Sequence, residues 1–190
     1  MAQQNNENTA LIQALFDIFR NHGYEGTTIS LLSEVTGLQK SSLYHHYPKG
    51  KEDMLRVVVE YVSAQIHQHI IAPLLDKQVS PAKRFSNMIA TIKAFYHDGR
   101  KNCLLNVLNL GEAKTDIKKL QNDDYSAWLA ALIQLGEEVG MSQPEAKNWS
   151  ERFVIIMEGA LVIQRLTSDK QTFEKHMAYE QKQFQQFLNS

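Results

Sequence analysis

The chain has 190 residues, enough for one large domain or two small ones, and 43% of them are hydrophobic. Its formal net charge of -1 indicates no bulk attraction to a polyanion. Its single cysteine, Cys103, excludes an intrachain disulfide, and no uncharged apolar run approaches membrane-spanning length. Because residues 1–10 are polar and lack the apolar core of a signal peptide, we expect a cytoplasmic protein.

A first helix is predicted from Asn8 to His22, after a disordered arm over residues 1–7. Its apolar side chains recur at the spacing of one helix face, and Gly23 ends the helix. The stripe comprises Ala10, Leu11, Ala14, Leu15, Ile18 and Phe19. This face is expected to pack on the two short helices that follow.

Residues 28–51 divide into two short helices joined by a tight turn. Thr28 can cap the first of them, because its hydroxyl accepts an orphan backbone N–H. Gly37 can end that helix in a left-handed conformation. Its predicted inward stripe, at positions i, i+3 and i+6, comprises Ile29, Leu32 and Val35.

The second short helix is predicted from Lys40 to Tyr47, where Pro48 stops it. Leu43 and Tyr47 can face inward together. The other side chains are Lys40, Ser41, Ser42, Tyr44, His45 and His46, and no carboxylate occurs over residues 36–50. Hydroxyl, imidazole and ammonium groups suit phosphate oxygens and base edges. The pattern therefore predicts a helix-turn-helix whose second helix enters the major groove.

Residues 28–51 resemble the DNA-binding signature of the TetR family of transcriptional regulators. The resemblance is carried by Thr28, the apolar stripe, Gly37, the Ser41-Ser42-Leu43-Tyr44 run, the Tyr47-Pro48 pair, and Lys51 before Glu52. Gly50 departs from the commonest family spacing as an extra residue before Lys51. The resemblance implies a ligand-responsive, dimeric repressor, although the sequence leaves activation open.

Position in the motif and the resemblance together indicate which side chains contact DNA. Hydroxyls and backbone N–H groups at the start of the first motif helix can meet a phosphate. The first residues of the second helix reach base edges, and Lys40 can donate to guanine O6 and N7. The later positions resemble family contacts to phosphate or to the thymine methyl. The expected DNA contacts are Thr28, Ser30, Lys40, Ser41, Ser42, Tyr44, His45, His46 and Lys51.

A long helix is predicted from Lys51 to Leu75, with a broad apolar face and with Pro73 as a kink or stop near its end. It links a predicted DNA-binding domain, residues 1–50, to the rest of a predicted ligand-binding and dimerisation domain, residues 51–190. In the family that the chain resembles, this linking helix transmits the ligand signal.

Further helices are predicted over residues 80–97, 103–110, 116–139, 143–167 and 170–188, with an interruption at Gly111. The sequence shows no convincing run of strand alternation. The expected fold is therefore all-α, with about nine helices divided between the helix-turn-helix bundle and the C-terminal helical domain.

The last two predicted helices resemble the dimerising four-helix bundle of the family. A palindromic operator also requires a two-fold protein. Burial of their apolar stripes within one subunit is the alternative. The expected homodimer interface comprises Trp149, Phe153, Ile156, Ala160, Ile163, Phe173, Met177, Phe184 and Phe187.

Family members bind a small-molecule inducer inside their C-terminal helices, which implies a pocket here. The candidate pocket residues are Phe95, Tyr96, Cys103, Leu104, Leu108, Tyr125, Trp128, Phe153 and Met157. Aromatic and methionine side chains at helical spacing are also what any core uses. The lack of a charge cluster favours a neutral or weakly polar ligand.

Cys103 suggests a second kind of inducer. It lies at a predicted helix N-terminus just after Arg100 and Lys101, and both features favour the thiolate. Family members that resemble the chain around residues 99–105 sense electrophiles or oxidants through such a cysteine. The alternative is a small buried hydrophobe, the usual role of a free cysteine.

Two other classes of protein fit this sequence less well than a regulator does. An all-helical enzyme is disfavoured, because the sequence has no nucleophile elbow, Gly-rich phosphate loop or His-Glu-x-x-His motif. A helical adaptor would not need the acid-free polar face of the second motif helix. His45 and His46 diverge by about 100° on a helix and cannot easily share an ion, so we expect no metal site and no cofactor.

Overall fold

The computed structural model describes the backbone of residues 2–109 and 115–188, and the side chains of residues 8–108 and 116–188. Over these residues the fold is all-α, as predicted, with no strands and with nine helices when the continuous segment 51–75 is counted once. The elements are α1 (Ala2–Gly26), α2 (Ile29–Thr36), α3 (Lys40–His46), α4 (Lys51–Ile66), α5 (Ala72–Leu75), α6 (Pro81–Phe95), α7 (Leu104–Asn109), α8 (Thr115–Glu138), α9 (Gln143–Thr167) and α10 (Thr172–Leu188). None of the described helices is both long enough and apolar enough to cross a membrane.

The helix boundaries follow the predicted ones closely, with one exception at the N-terminus. α9 begins and ends at the predicted residues, and Gly23 interrupts α1 with non-helical backbone (φ 68°, ψ -175°). The predicted disordered arm is wrong for the backbone, since α1 begins at Ala2. The predicted break at Gly111 lies outside the described residues.

Pro73 changes the pitch of its helix instead of ending it. A π-helical turn, His67–Ile71, lies between α4 and α5, and the Ala72 N–H bonds to the His67 carbonyl five residues earlier. Proline has no N–H, and its ring collides with the carbonyl four residues before it. A π-turn just before the proline relieves this conflict while the chain stays helical.

The chain forms two compact units, each made of two segments. Unit 1 comprises Met1–Ala64 and Leu104–Gln121, and unit 2 comprises Gln65–Cys103 and Asn122–Ser190. The sequence prediction divided the chain once, after residue 50. The division differs because α4 continues the first unit and α7 packs on α1 within it.

Unit 1 encloses a core drawn from α1 to α4 and from α7. Leu32 and Leu43, both predicted to face inward, are fully buried, whereas Val35 is 53% exposed and does not belong to the inward stripe. At Gly23 an added Cβ would lie 3.4 Å from Val107 Cγ1, so the kink in α1 lies directly against α7. Other buried members are Leu15, Phe16, Phe19, Met54, Leu55, Val58 and Leu108.

Unit 2 is built around aromatic rings from α6, α9 and α10. The Phe85 ring lies 4.4 Å from that of Phe184, 5.4 Å from that of Trp149 and 5.5 Å from that of Phe153, measured between centroids. All four side chains are buried. Rings of this size remove large apolar areas from water and dominate the stabilisation of a small core.

Candidate functional site

The start of α2 is fixed by the cap that the sequence predicts. Thr28 has extended backbone (φ -108°, ψ 155°), and its hydroxyl accepts from the Leu31 N–H at 3.2 Å. Thr28 and Ser30 are both exposed at this helix start. The helix ends at Gly37, which is left-handed (φ 70°) as predicted.

Side-chain hydrogen bonds hold the turn between α2 and α3. The Ser33 hydroxyl donates to the Leu38 carbonyl at 2.6 Å, and the Thr36 hydroxyl donates to the Leu32 carbonyl at 2.6 Å. The Ser33 bond ties α2 to Leu38 in the turn, and the Thr36 bond lies within the last turn of α2. They therefore fix the angle at which α3 leaves the turn.

α3 has one buried and one exposed side. Leu43 is fully buried and Tyr47 is 7% exposed, as predicted, and burial raises the pKa of the Tyr47 phenol. Ser42 is half-buried at the edge. The exposed side chains are Lys40, Ser41, Tyr44, His45 and His46. This surface offers hydroxyls, imidazoles and one ammonium, and it carries no carboxylate.

Two predicted DNA contacts from different helices meet on this surface. The Lys40 ammonium donates to the Ser30 hydroxyl at 2.8 Å, and both side chains are exposed. The start of α3 therefore lies beside the start of α2. A cation and a hydroxyl side by side at two helix starts form a local site for an anion such as a backbone phosphate.

Lys51 does not have the position expected of a phosphate contact. Its ammonium donates to the Tyr24 carbonyl at 2.6 Å and lies 4.1 Å from the centroid of the Tyr24 ring. The side chain therefore joins the start of α4 to the end of α1. In this arrangement the ammonium is turned to the protein, and the expected phosphate contact of Lys51 is not supported.

The loop between α3 and α4 is ordered by its own backbone. The Gly50 N–H donates to the Tyr47 carbonyl at 2.7 Å, and the Gly50 carbonyl accepts from Met54 at 3.2 Å in the first turn of α4. Asp53 accepts the Lys49 N–H at 2.7 Å. A carboxylate in the first turn satisfies a backbone donor and favours the positive end of the helix dipole.

Most of the residues expected at a dimer interface are instead core residues of unit 2. Ile156 is half-buried, and only Ile163 and Phe187 are exposed, at 45% and 42%. The six that are buried by their own chain, and so corrected, are Trp149, Phe153, Ala160, Phe173, Met177 and Phe184.

The opposite face of α9 carries an exposed apolar stripe, of which the sequence analysis assigned only Ile163 to the interface. Ile155 is 70% exposed and Leu166 is 77% exposed, with Gly159, Val162 and Ile163 between them on the same side. The spacing i, i+4, i+7, i+8 and i+11 follows one helix face. The sequence of α9 contains two sets of apolar residues at helical spacing, one buried and one exposed. The second set was the signal that could have revealed the exposed stripe.

The candidate pocket residues do not belong to one unit. Leu104 and Leu108 lie in unit 1, and the other seven lie in unit 2. Phe153 and Met157 are buried in the core, and Trp128 donates its indole N–H to the Met88 sulfur at 3.4 Å. The structure therefore explains these three side chains as core packing within unit 2.

Cys103 immediately precedes α7, as predicted, but its side chain is buried. Its thiol forms a hydrogen bond with the Glu158 carboxyl. Burial raises the pKa of Glu158, and the bond from Cys103 lowers it by less. No group of three or more possible metal ligands occurs in the described part of the chain.

Comparisons with known proteins agree with this geometry. Residues 11–58, which include α2 and α3, match the family described as "Bacterial regulatory proteins, tetR family". The HTH-type transcriptional regulator LmrA of Bacillus subtilis is 23% identical over 177 residues, covering 88% of this chain and 90% of that protein. An uncharacterized HTH-type transcriptional regulator of the same organism, YxaF, is 21% identical over 174 residues, covering 90% and 91%.

The fold of most of the chain is also shared with solved structures. A TetR transcriptional regulator from Legionella pneumophila superposes with a TM-score of 0.79 at 15% identity, covering 91% of this chain and 94% of that one. At this identity the likeness shows the fold alone. Together with the match over residues 11–58, it places a helix-turn-helix on an all-helical scaffold of known type.

Proposed function

We propose that this chain, which belongs to the TetR family of DNA-binding transcriptional regulators, is a repressor that binds a palindromic operator as a homodimer and leaves it when a small molecule binds. The observation that carries the DNA part is the exposed, acid-free side of α3, with Lys40 joined to Ser30 at its start. Such a surface suits insertion into the major groove.

Eight exposed or half-buried residues remain as the proposed contacts once Lys51 is removed. The start of α2 would meet a backbone phosphate, and the first residues of α3 would reach base edges. Lys40 would read guanine when it leaves Ser30. The later α3 positions would contact phosphate or a thymine methyl. The proposed set is Thr28, Ser30, Lys40, Ser41, Ser42, Tyr44, His45 and His46.

The partner in the proposed dimer is a second copy of this chain, bound through α9 and α10. The apolar stripe of α9 lies outside the core, and α10 adds Tyr179, at 52% exposure, and Phe187. Contiguous exposed apolar residues of this kind mark interaction sites. A two-fold axis through this stripe would pair identical surfaces, as a palindromic operator requires.

For the inducer, the chain supports two proposals of different chemistry. A neutral or weakly polar molecule would bind among the helices of unit 2, where the aromatic side chains lie. An electrophile would act at Cys103, whose thiol contacts the buried Glu158. Because Cys103 is only 7% exposed, the second proposal requires unit 2 to open transiently.

The test of the proposed function is selection of duplexes by the purified protein from a random double-stranded library, followed by titration over a salt series. A repeated, palindromic sequence bound with a steep salt dependence is expected. Lys40→Ala and Tyr44→Ala should each weaken binding by about 5- to 150-fold, the effect of one lost base contact. If no sequence is enriched, the helical adaptor becomes the better account.

A further inference from the structure

The side chain of Tyr44 leaves α3 and lies against the backbone of Gly50, at the start of α4. A Cβ built on Gly50 would lie 2.9 Å from Tyr44 Cε1, and 3.7 Å from both Cδ1 and Cζ. The ring therefore occupies the space that any side chain at position 50 would need. The rest of the Tyr44 side chain remains open, since the residue is 49% exposed.

Gly50 offers a fixed surface to this ring. Its N–H donates to the Tyr47 carbonyl and its carbonyl accepts from Met54, so both of its peptide groups are held. Its φ of 64° lies in the left-handed region, which glycine adopts without strain. The residue is buried although it lies in a surface loop.

A partly exposed tyrosine would otherwise sample several rotamers on the surface of a seven-residue helix. Contact with a rigid backbone restricts that sampling before DNA arrives. Interactions that are ordered in advance lose less conformational entropy on binding. The ring contact thus favours one rotamer of Tyr44, in which one edge of the ring lies against Gly50 and the rest of the side chain stays exposed.

We propose that Gly50 is a positioning residue for DNA recognition, because the space it leaves open holds the Tyr44 ring in its binding orientation. This inference rests on the proposed contact between Tyr44 and DNA. Gly50 itself touches no DNA in this account and acts only through the ring.

The chain contains a matched control for the effect of backbone strain. Gly37 has nearly the same left-handed φ, 70° against 64°, and it lies in the same helix-turn-helix. A Cβ at Gly37 would meet nothing within 4 Å. Gly37→Ala therefore introduces the same strain as Gly50→Ala without displacing a side chain. Tyr44 Cε1 is the far end of a flexible side chain, so Gly50→Ala moves the ring and leaves the helices in place.

The experiment compares the wild type, Gly37→Ala, Gly50→Ala, Tyr44→Ala and the double variant Tyr44→Ala/Gly50→Ala on the duplex that the wild type selects from a random library. Gly50→Ala is expected to weaken binding by the same factor as Tyr44→Ala, about 5- to 150-fold, while Gly37→Ala stays close to the wild type. The double variant should bind no more weakly than Tyr44→Ala alone, because the two changes remove one contact.

An NMR measurement tests the contact between the Tyr44 ring and Gly50 in the absence of DNA. The Tyr44 ring should shift the Gly50 Hα resonance, and this shift should vanish in Tyr44→Ala and persist in Gly37→Ala. If an alanine variant proves too unstable, Gly50→Asn and Gly37→Asn serve as the pair, since asparagine tolerates left-handed backbone and still adds a Cβ.

The outcomes separate the inference from the function on which it rests. If Tyr44→Ala weakens binding while Gly50→Ala behaves like Gly37→Ala, only the inference is overturned. A further loss in the double variant, beyond that of Tyr44→Ala, overturns it as well. If Tyr44→Ala binds like the wild type, the proposed Tyr44 contact fails and the inference fails with it.

Discussion

The Lys51 ammonium donates to the Tyr24 carbonyl at 2.6 Å and lies 4.1 Å from the centroid of the Tyr24 ring. This pair joins the residue that follows the kink in α1 to the first residue of α4. Both contacts are made by one cation, through a charge-assisted hydrogen bond and a cation–π interaction. Lys51 thus stabilises the arrangement of helices around the motif.

Lys51→Met should therefore lower the stability of the protein more than it alters DNA binding. We expect a loss of about 1 kcal/mol in the free energy of unfolding, from the hydrogen bond and the ring contact. The slope of log affinity against log salt should stay close to that of the wild type. Denaturant unfolding and a salt titration measure the two quantities. A slope that falls by about one would instead identify Lys51 as a phosphate contact.

The example of Lys51 indicates which features of the site a sequence can predict. The cap at Thr28, the left-handed end at Gly37 and the buried Leu43 follow from local rules, and all three were predicted correctly. Whether a lysine in the motif points to DNA depends on a residue 27 positions away in the chain. Local periodicity carries no information about such a distant partner.

The same limit explains the differences in the fold and at the proposed interface. α7 joins unit 1 because it packs on α1, a contact between distant segments. In α9 nearly every turn offers apolar residues on two sides, so periodicity identified the helix but merged its two faces. Trp149 and Phe153 face the core, whereas Ile155 and Leu166 face solvent. The aromatic rings of α6, α8 and α10 that pack on Trp149 and Phe153 make this distinction.

Leu166→Glu should disrupt the proposed homodimer. A two-fold interface contains each substituted position twice, and losing the burial of two leucines weakens association by about 100-fold or more. Ile155→Glu should act in the same direction. Sedimentation equilibrium over a concentration series measures the dissociation constant of each variant.

Leu75→Glu is the matched control for the dimer, because Leu75 is an exposed apolar residue of unit 2 that lies on α5. It should leave the dissociation constant unchanged. A wild type that remains monomeric throughout the series would contradict the proposed dimer. Equal effects of Leu75→Glu and Leu166→Glu would contradict the choice of interface.

Gln164 ties the loop after α6 to the start of α10 inside unit 2. Its side-chain amide donates to the Asp98 carbonyl at 2.9 Å, and its side-chain oxygen accepts from the Phe173 N–H at 2.9 Å. Gly99 lies against this amide, and a Cβ there would be 2.5 Å from Gln164 Nε2 and 2.6 Å from Phe173 Cβ. Neither neighbour can move freely, because both residues are buried.

Gly99→Ala should consequently destabilise the protein far more than Gly140→Ala. Both glycines have left-handed backbone, with φ of 82° and 94°, and each alanine would cost about 1–2 kcal/mol in strain. Only Gly99→Ala adds overpacking, for a further loss of about 1–3 kcal/mol, since a Cβ at Gly140 meets nothing within 4 Å. Chemical denaturation gives both values. Equal losses in the free energy of unfolding would show that the Gln164 and Phe173 side chains can move aside without cost.

Cys103→Ser tests the proposed response to electrophiles. The variant should bind the selected operator as the wild type does, because Cys103 lies in unit 2 and outside the residues proposed to touch DNA. N-ethylmaleimide should release the wild-type protein slowly, at the rate at which the buried thiol becomes exposed, and should not release the variant. Release of both proteins would exclude Cys103 as the sensor.

Two carboxyls of unit 2 should respond to pH with opposite signs. Burial raises the pKa of Glu180 above its ordinary value of 4.5, and the smaller effects of Arg152 and His176 lower it. The stability that this group contributes is therefore complete below pH 4.5. It declines as the pH rises through the pKa of the folded state. The Ser142 hydroxyl and N–H lower the pKa of Glu145, which instead contributes stability above pH 4.5 that is lost on acidification through its folded pKa. The difference in stability between Glu180→Gln and the wild type should therefore shift in favour of the variant as the pH rises from 4 to 8. For Glu145→Gln the same difference should shift in favour of the wild type. Melting temperatures at several pH values measure both trends, and parallel curves for Glu180→Gln and the wild type would show that burial does not perturb Glu180.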